Sequence, residues 1–216
     1  MVKTYIFFDL DGTITDPKEG ITKAVEYALL KFGIKIADRN LLLPFIGPPL
    51  RDSFSRYYGF NHEEANEAVK YYREYYTKFG GLYDCYIYPG MVETLKKFNS
   101  RGKKLVMATA KPEDFAVLLM QHFGIDDLFY SICGASLDES RTKKDEVIKY
   151  ALDRNNITDM SEVVMVGDRN YDILGAKMFS IETVGVLYGY GSLDEFKEAG
   201  ADIICEKPED LLEVIS

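Results

Sequence analysis

The chain has 216 residues, enough for one domain or for a domain with a modest insert, and close to half of them are apolar. Its 35 acidic residues outnumber 26 basic ones, giving a formal net charge of −9. That balance argues against general binding to nucleic acid or an anionic membrane, because those surfaces demand surplus Lys and Arg. A small anionic substrate stays compatible, since a local site can be cationic on an acidic protein.

Thr4 to Leu10 is a short apolar run that ends in acids, and it reads as a buried strand. It is far too short to cross a membrane, and the N-terminus lacks the pattern of a signal peptide. Ile21, Val25, Leu29 and Phe32 then mark a helix closed by Gly33. Arg51 to Tyr58 and Glu63 to Phe79 read as further helices, and no strand pattern appears from about Lys18 to Tyr83. Tyr57, Tyr58, Tyr71, Tyr72, Tyr75 and Tyr76 are expected as core and surface of this helical stretch.

After Pro89-Gly90 the texture changes. Helix Met91–Ser100 leads to strand Lys104–Ala108, helix Pro112–Phe123 and strand Tyr130–Cys133. Helix Asp145–Arg154, strand Val163–Val166 and helix Tyr171–Phe179 follow. Strand Thr183–Val186, helix Ser192–Ala199, strand Asp202–Ile204 and a C-terminal helix complete the chain. Short β-branched strands alternating with amphipathic helices imply an α/β fold with a doubly wound parallel sheet. The expected division is an α/β core from residues 1–16 and 85–216, with an inserted α-helical domain over 17–84. Cys85, Cys133 and Cys205 are scattered, show no metal-like spacing and are expected as reduced thiols of a soluble cytoplasmic protein.

Ligands of such sheets bind at the carboxyl ends of the strands. The polar residues just past the apolar runs are Asp9 and Asp11, Thr109, and Gly167-Asp168. Two carboxylates at one strand mouth repel each other, and burial raises that cost unless a cation or proton offsets it. A hard divalent ion suits them, and Mg²⁺ fits a site of few carboxylates, waters and a phosphate. A carboxylate is also a competent nucleophile toward phosphorus. The other acid can then protonate the leaving oxygen and later deprotonate water. Thr109, with nearby backbone N–H groups such as that of Ala110, can hold phosphate oxygens, although a Thr there also serves as a turn or cap residue. Lys143 and Lys144 open a helix and offer a cation to a transferring phosphoryl group. Asp172, four residues after Asp168, is placed to ligate a metal through water or to orient Lys144.

These residues resemble the haloacid dehalogenase-like phosphatase superfamily over essentially the whole chain. The DxDGT motif stands as Asp9-Leu10-Asp11-Gly12-Thr13, the strand-end Thr as Thr109, the Lys as Lys144 and GDxxxD as Gly167-Asp168 with Asp172. The resemblance implies Asp9 as nucleophile and metal ligand, and Asp11 as acid/base with its backbone carbonyl on the metal. It implies Asp168 as the third protein ligand, and Thr109, Ala110 and Lys144 as phosphate-binding residues. The helical insert looks like the family's C1 cap, which excludes bulk water. Phe45-Ile46-Gly47-Pro48-Pro49-Leu50-Arg51 resembles the cap segment of phosphoglycolate phosphatases and related nucleotidase-like enzymes; Arg51 is the cap candidate for a substrate carboxylate or second phosphate, with a surface salt bridge as the alternative. Asp16-Pro17 departs from the Asp followed by Ser or Thr of many relatives, and no substrate contact is carried onto it.

The expected activity is Mg²⁺-dependent hydrolysis of a small phosphorylated metabolite through an aspartyl-phosphate, with 2-phosphoglycolate favoured and a monomer or homodimer expected. A nucleoside 5′-monophosphatase is the alternative, and a phosphosugar mutase is a third. A non-catalytic phospho-acceptor module is the different class, and Asp11 speaks against it by supplying the group that activates water.

Overall fold

The computed structural model describes residues 3–138 and 140–216. Strands β1 (Tyr5–Phe8) and β2 (Thr15–Asp16) are followed by helices α1 (Lys18–Lys31), α2 (Leu50–Tyr58) and α3 (His62–Lys78). Then come β3 (Tyr86–Ile87), α4 (Met91–Ser100), β4 (Lys104–Pro112), α5 (Glu113–Phe123) and β5 (Ser131–Ala135). The chain continues through α6 (Lys144–Arg154), β6 (Val163–Gly167), α7 (Asn170–Lys177), β7 (Glu182–Val186), α8 (Leu193–Ala199), β8 (Ile203–Cys205) and α9 (Leu211–Val214).

These elements form two units. One runs to Asp16 and resumes at Ile87; the other is Pro17–Tyr86. The return falls two residues beyond the expected boundary at 85. The reason is local: β2 and β3 pair as a two-stranded ribbon, and two-residue strands are too short to carry a period.

The first unit holds a six-stranded sheet in the order β5-β4-β1-β6-β7-β8. Every neighbouring pair is parallel, with Phe7 level with Val106 on one side and Met165 on the other. A sheet covered on both faces needs strands that are apolar throughout, which is why β1, β4 and β6 read as runs rather than alternations. Ile6, Phe7, Phe8, Leu105, Val106, Val164 and Met165 are all buried. Each large side chain buried this way contributes about 1.5–3 kcal/mol. The helices match their predicted faces: α4 buries Met91, Leu95 and Phe98, and α6 buries Val147, Ile148, Ala151 and Leu152. Strand order reverses at β1, because the chain builds outward to β4 and β5 and then returns to β6, β7 and β8. That makes the ends of β1, β4 and β6 the switch point of the sheet.

The second unit is helical. Its apolar stripes bury Val25, Ala28 and Leu29 of α1, Phe54 of α2, and Ala65, Val69, Tyr72 and Tyr76 of α3. Tyr72 and Tyr76 stack at 5.2 Å, whereas Tyr57 is exposed. Asn61 caps α3: its side chain accepts from the N–H groups of Glu63 and Glu64, and the Glu64 carboxylate accepts from the Asn61 N–H. Between α1 and α2 a 3₁₀ turn spans Arg39–Phe45, which the sequence pattern does not announce because Leu41-Leu42-Leu43 has no period.

No disulfide joins the three cysteines, and Cys133 and Cys205 are buried. Among the described residues no helix is long and apolar enough to cross a membrane.

Candidate active site

Asp9 follows β1 directly and extends its ladder by donating its N–H to the Val166 carbonyl at 2.9 Å. The chain then wraps around the Leu10 carbonyl, which accepts from the N–H groups of Thr13, Ile14 and Thr15. Gly12 makes that wrap possible with φ +88°. A Cβ there would also lie 2.0 Å from Asp168 Oδ2, so the position demands glycine twice over.

Asp168 comes from the end of β6 and is fully buried. Its Oδ2 accepts from the Tyr190 N–H at 2.9 Å, and its Oδ1 from the Thr13 hydroxyl at 3.4 Å. Asp172 lies in the first turn of α7, where its Oδ2 accepts from the Arg169 N–H. Carboxylate oxygens of Asp9, Asp168 and Asp172 all lie within 4.8 Å of one another, and all three residues are buried.

Lys144, the first residue of α6, reaches into this cluster. Its Nζ is 2.7 Å from Asp9 Oδ1, 2.7 Å from Asp172 Oδ1 and 3.0 Å from the Ala108 carbonyl, which accepts a hydrogen bond from it. Lys143, one residue earlier, is exposed. Thr109 sits buried within β4, three residues before the strand ends at Pro112, and its hydroxyl oxygen accepts from the Lys111 N–H at 3.2 Å. Ala110 stands between them, in the irregular segment where the β4–β5 register shifts between Thr109 and Pro112. Arg51 belongs to the helical unit, at the second position of α2.

Sequence reasoning missed two parts of the site. The first is Lys111, whose buried ammonium lies 2.7 Å from Asp11 Oδ2. Its signal was its place two residues after Thr109, on the same apolar run. The second is the loop after β7. There Tyr190 binds Asp168 through its N–H and donates its hydroxyl to Asp16 Oδ1. The strand-end rule applied to β7 would have found that loop.

The electrostatics follow from burial. Burial pushes the Asp168 carboxyl well up, and the charges of Asp172 and Asp9 add to it. Burial likewise pushes Asp172 up to about 6, against the pull of Lys144. Asp11 is raised by burial too, with Lys111 opposing. Burial acts against the charge on Lys144, but Asp172 and Asp9 outweigh it, and its pKa is raised. Four carboxylates (Asp9, Asp11, Asp168 and Asp172) thus face two ammonium groups (Lys111 and Lys144), leaving two negative charges on acids that burial penalises. An oxygen-rich cluster of that charge fits a hard divalent cation.

Carboxylates and a lysine thus meet at the switch point of a doubly wound sheet, the place where such sheets bind ligands. Residues 6–186 match the family model of the haloacid dehalogenase-like hydrolases. A 5′-nucleotidase of Pseudomonas aeruginosa is 44% identical over 192 residues, covering 89% of this chain and 86% of that protein. The pyrophosphatase PpaX of Bacillus velezensis is 32% identical over 214 residues, covering 98% of this chain and 95% of that one. A crystal structure described as a predicted phosphatase from Clostridium acetobutylicum superposes with a TM-score of 0.96 at 41% identity, covering 100% of this chain and 99% of that one. The chain is a hydrolase. It belongs to the haloacid dehalogenase-like hydrolase family.

Proposed function

We propose that the chain is a Mg²⁺-dependent phosphomonoesterase that passes the phosphoryl group through Asp9. The observation carrying this reading is the buried group of Asp9, Asp168 and Asp172 with Lys144 salt-bridged to two of them. Asp9, Asp168 and the backbone carbonyl of Asp11 would hold the ion, with Asp172 beside them. When bound, Mg²⁺ supplies the countercharge for the carboxylates and for the phosphoryl oxygens.

The protein's own residues do the rest. An Asp9 carboxylate oxygen bonds to phosphorus as the bond from phosphorus to the leaving oxygen breaks. Asp11 gives that oxygen a proton. Water then attacks the aspartyl-phosphate, its proton returns to Asp11, and Asp9 is released with inorganic phosphate. The Thr109 hydroxyl and the Ala110 N–H hold the non-reacting oxygens. Lys144 neutralises charge that builds on them and keeps Asp9 oriented.

For the substrate we infer a nucleoside 5′-monophosphate, supported by the name of the Pseudomonas relative. The second reading is 2-phosphoglycolate, supported by the likeness of the Phe45–Arg51 segment to the caps of phosphoglycolate phosphatases, which nucleotidase-like enzymes share. Arg51 is the candidate for a second anionic or polar group of either.

Purified protein with Mg²⁺ and a panel of nucleoside 5′-monophosphates, 2-phosphoglycolate and sugar phosphates should release phosphate, with nucleotides preferred by kcat/KM. EDTA should abolish release. Asp9→Asn should lower kcat by at least about 10³-fold without raising KM to match. Full activity in that variant would rule out Asp9 as the nucleophile, and a preference for 2-phosphoglycolate would rule out the nucleotide reading alone.

A further inference from the structure

We propose that Lys111 is the positioning residue of the acid/base: it clamps Asp11 Oδ2 so that Oδ1 is the oxygen that carries the proton. This rests on the reading of Asp11 given above. Lys111 Nζ is 2.7 Å from Asp11 Oδ2, and its side chain is only 3% exposed. Lysine is almost never this buried unless a partner holds it, because the ammonium loses its hydration. Asp11 Oδ1 is also buried, and among the described residues it has no hydrogen-bond partner. The two oxygens of one carboxylate are therefore unlike. One is fixed by a cation, and the other is an acceptor held out of water with nothing on it.

The backbone explains how the lysine comes to this point. The register between β4 and β5 shifts between Thr109 and Pro112. Such irregularities re-aim side chains beside active sites. The same residue ties its own N–H to the Thr109 hydroxyl oxygen. Lys111 thus joins Thr109 to Asp11.

During formation of the phospho-enzyme, the Asp9 O–P bond forms and the bond from phosphorus to the leaving oxygen breaks. The proton on Asp11 Oδ1 moves to that oxygen. During hydrolysis the water O–P bond forms, the Asp9 O–P bond breaks and a water proton arrives at Oδ1. A carboxylate free to rotate would present Oδ2 as often as Oδ1. The clamp removes that freedom, which is how orientation accelerates a proton transfer.

The test uses leaving groups. Alkyl phosphates need a proton on the departing oxygen, whereas p-nitrophenyl phosphate loses a stable phenolate and does not. The full chain with saturating Mg²⁺ is assayed for kcat/KM on a nucleoside 5′-monophosphate and on p-nitrophenyl phosphate. Asp11→Asn should lose about 10²- to 10⁴-fold on the alkyl ester and far less on the aryl ester. Lys111→Met should show the same selectivity at about 10²-fold, and Lys111→Arg should recover part of it. Equal losses on both esters, or no loss, would overturn the proposal and leave Lys111 as a countercharge. A selective Asp11→Asn beside an unselective Lys111→Met removes this inference alone. An unselective Asp11→Asn removes the acid reading and this inference with it. Should Lys111→Met not fold, as judged by circular dichroism, Lys111→Gln decides on the same comparison, because it keeps a donor but not the charge.

Discussion

Lys144→Met probes the electrostatic centre of the site. The ammonium stands 2.7 Å from both Asp9 and Asp172, and all three groups are buried. Methionine fills similar volume but leaves two carboxylates without their cation. Removing one partner of a buried ion pair costs about 3–5 kcal/mol, because the remaining charge is uncompensated. For a chain of this length each kcal/mol moves the melting temperature by about 2–4 °C, so a fall of about 6–20 °C is expected in EDTA. The loss should shrink below pH 6, where Asp172, already pushed up to about 6 by burial, takes a proton and sheds its charge. Mg²⁺ should restore part of the stability, since it supplies positive charge to the same acids, while activity stays low. Lys143→Met is the control, because that side chain is exposed, and its effect should be within about 0.5 kcal/mol. The assay is calorimetry of both variants from pH 5 to 8, with EDTA and with Mg²⁺. A Lys144→Met protein that melts within about 1 °C of the parent in EDTA at pH 8 would refute the reasoning, since an uncompensated buried pair cannot be that cheap.

The metal-free parent should itself lose stability as pH rises. Asp11, Asp168 and Asp172 all have folded values above the ordinary carboxylate range. The folded state therefore binds more protons than the unfolded one, and stability falls with pH across that interval. For Asp172 the interval runs from the ordinary value of 3.8 to about 6, worth at most about 3 kcal/mol at about 1.4 kcal/mol per pH unit. Melting in EDTA from pH 5 to 8 should show the decline and Mg²⁺ should flatten it; a metal-free protein that stabilises with rising pH would contradict the charge count. Gly12→Ala should disable the site, because its Cβ would lie 2.0 Å from Asp168 Oδ2 on a backbone at φ +88°. Displacing Asp168 by about 1 Å should cost on the order of 10²-fold in kcat, and an isothermal titration should show weakened Mg²⁺ binding; parental activity would mean the turn can reshape without moving Asp168.

Much of this protein is legible in one dimension. Strands buried on both faces must be apolar throughout, so β1, β4 and β6 announce themselves, and the polar residues that end them are conspicuous. Asp9, Asp11, Thr109 and Asp168 stand out as candidates in that way, and the alternation of strand and helix implies the parallel sheet. The chain could not choose between Lys143 and Lys144 by spacing. Neighbours on a helix point about 100° apart, and only the seating of α6 decides that Lys144 turns inward to Asp9 while Lys143 meets solvent. The two-residue strands β2 and β3 and the 3₁₀ turn at Arg39–Phe45 carry no period at all. The clamp of Lys111 on Asp11 joins residues 100 positions apart through a register shift that no local pattern encodes. Tyr190 reaches Asp168 and Asp16 from a loop whose path depends on where β7 lies in the sheet. Sequence by itself determined where the buried strands run and which polar side chains follow them, because burial and period act locally. Tertiary structure alone decided which charges face one another, because that depends on distances across the sheet.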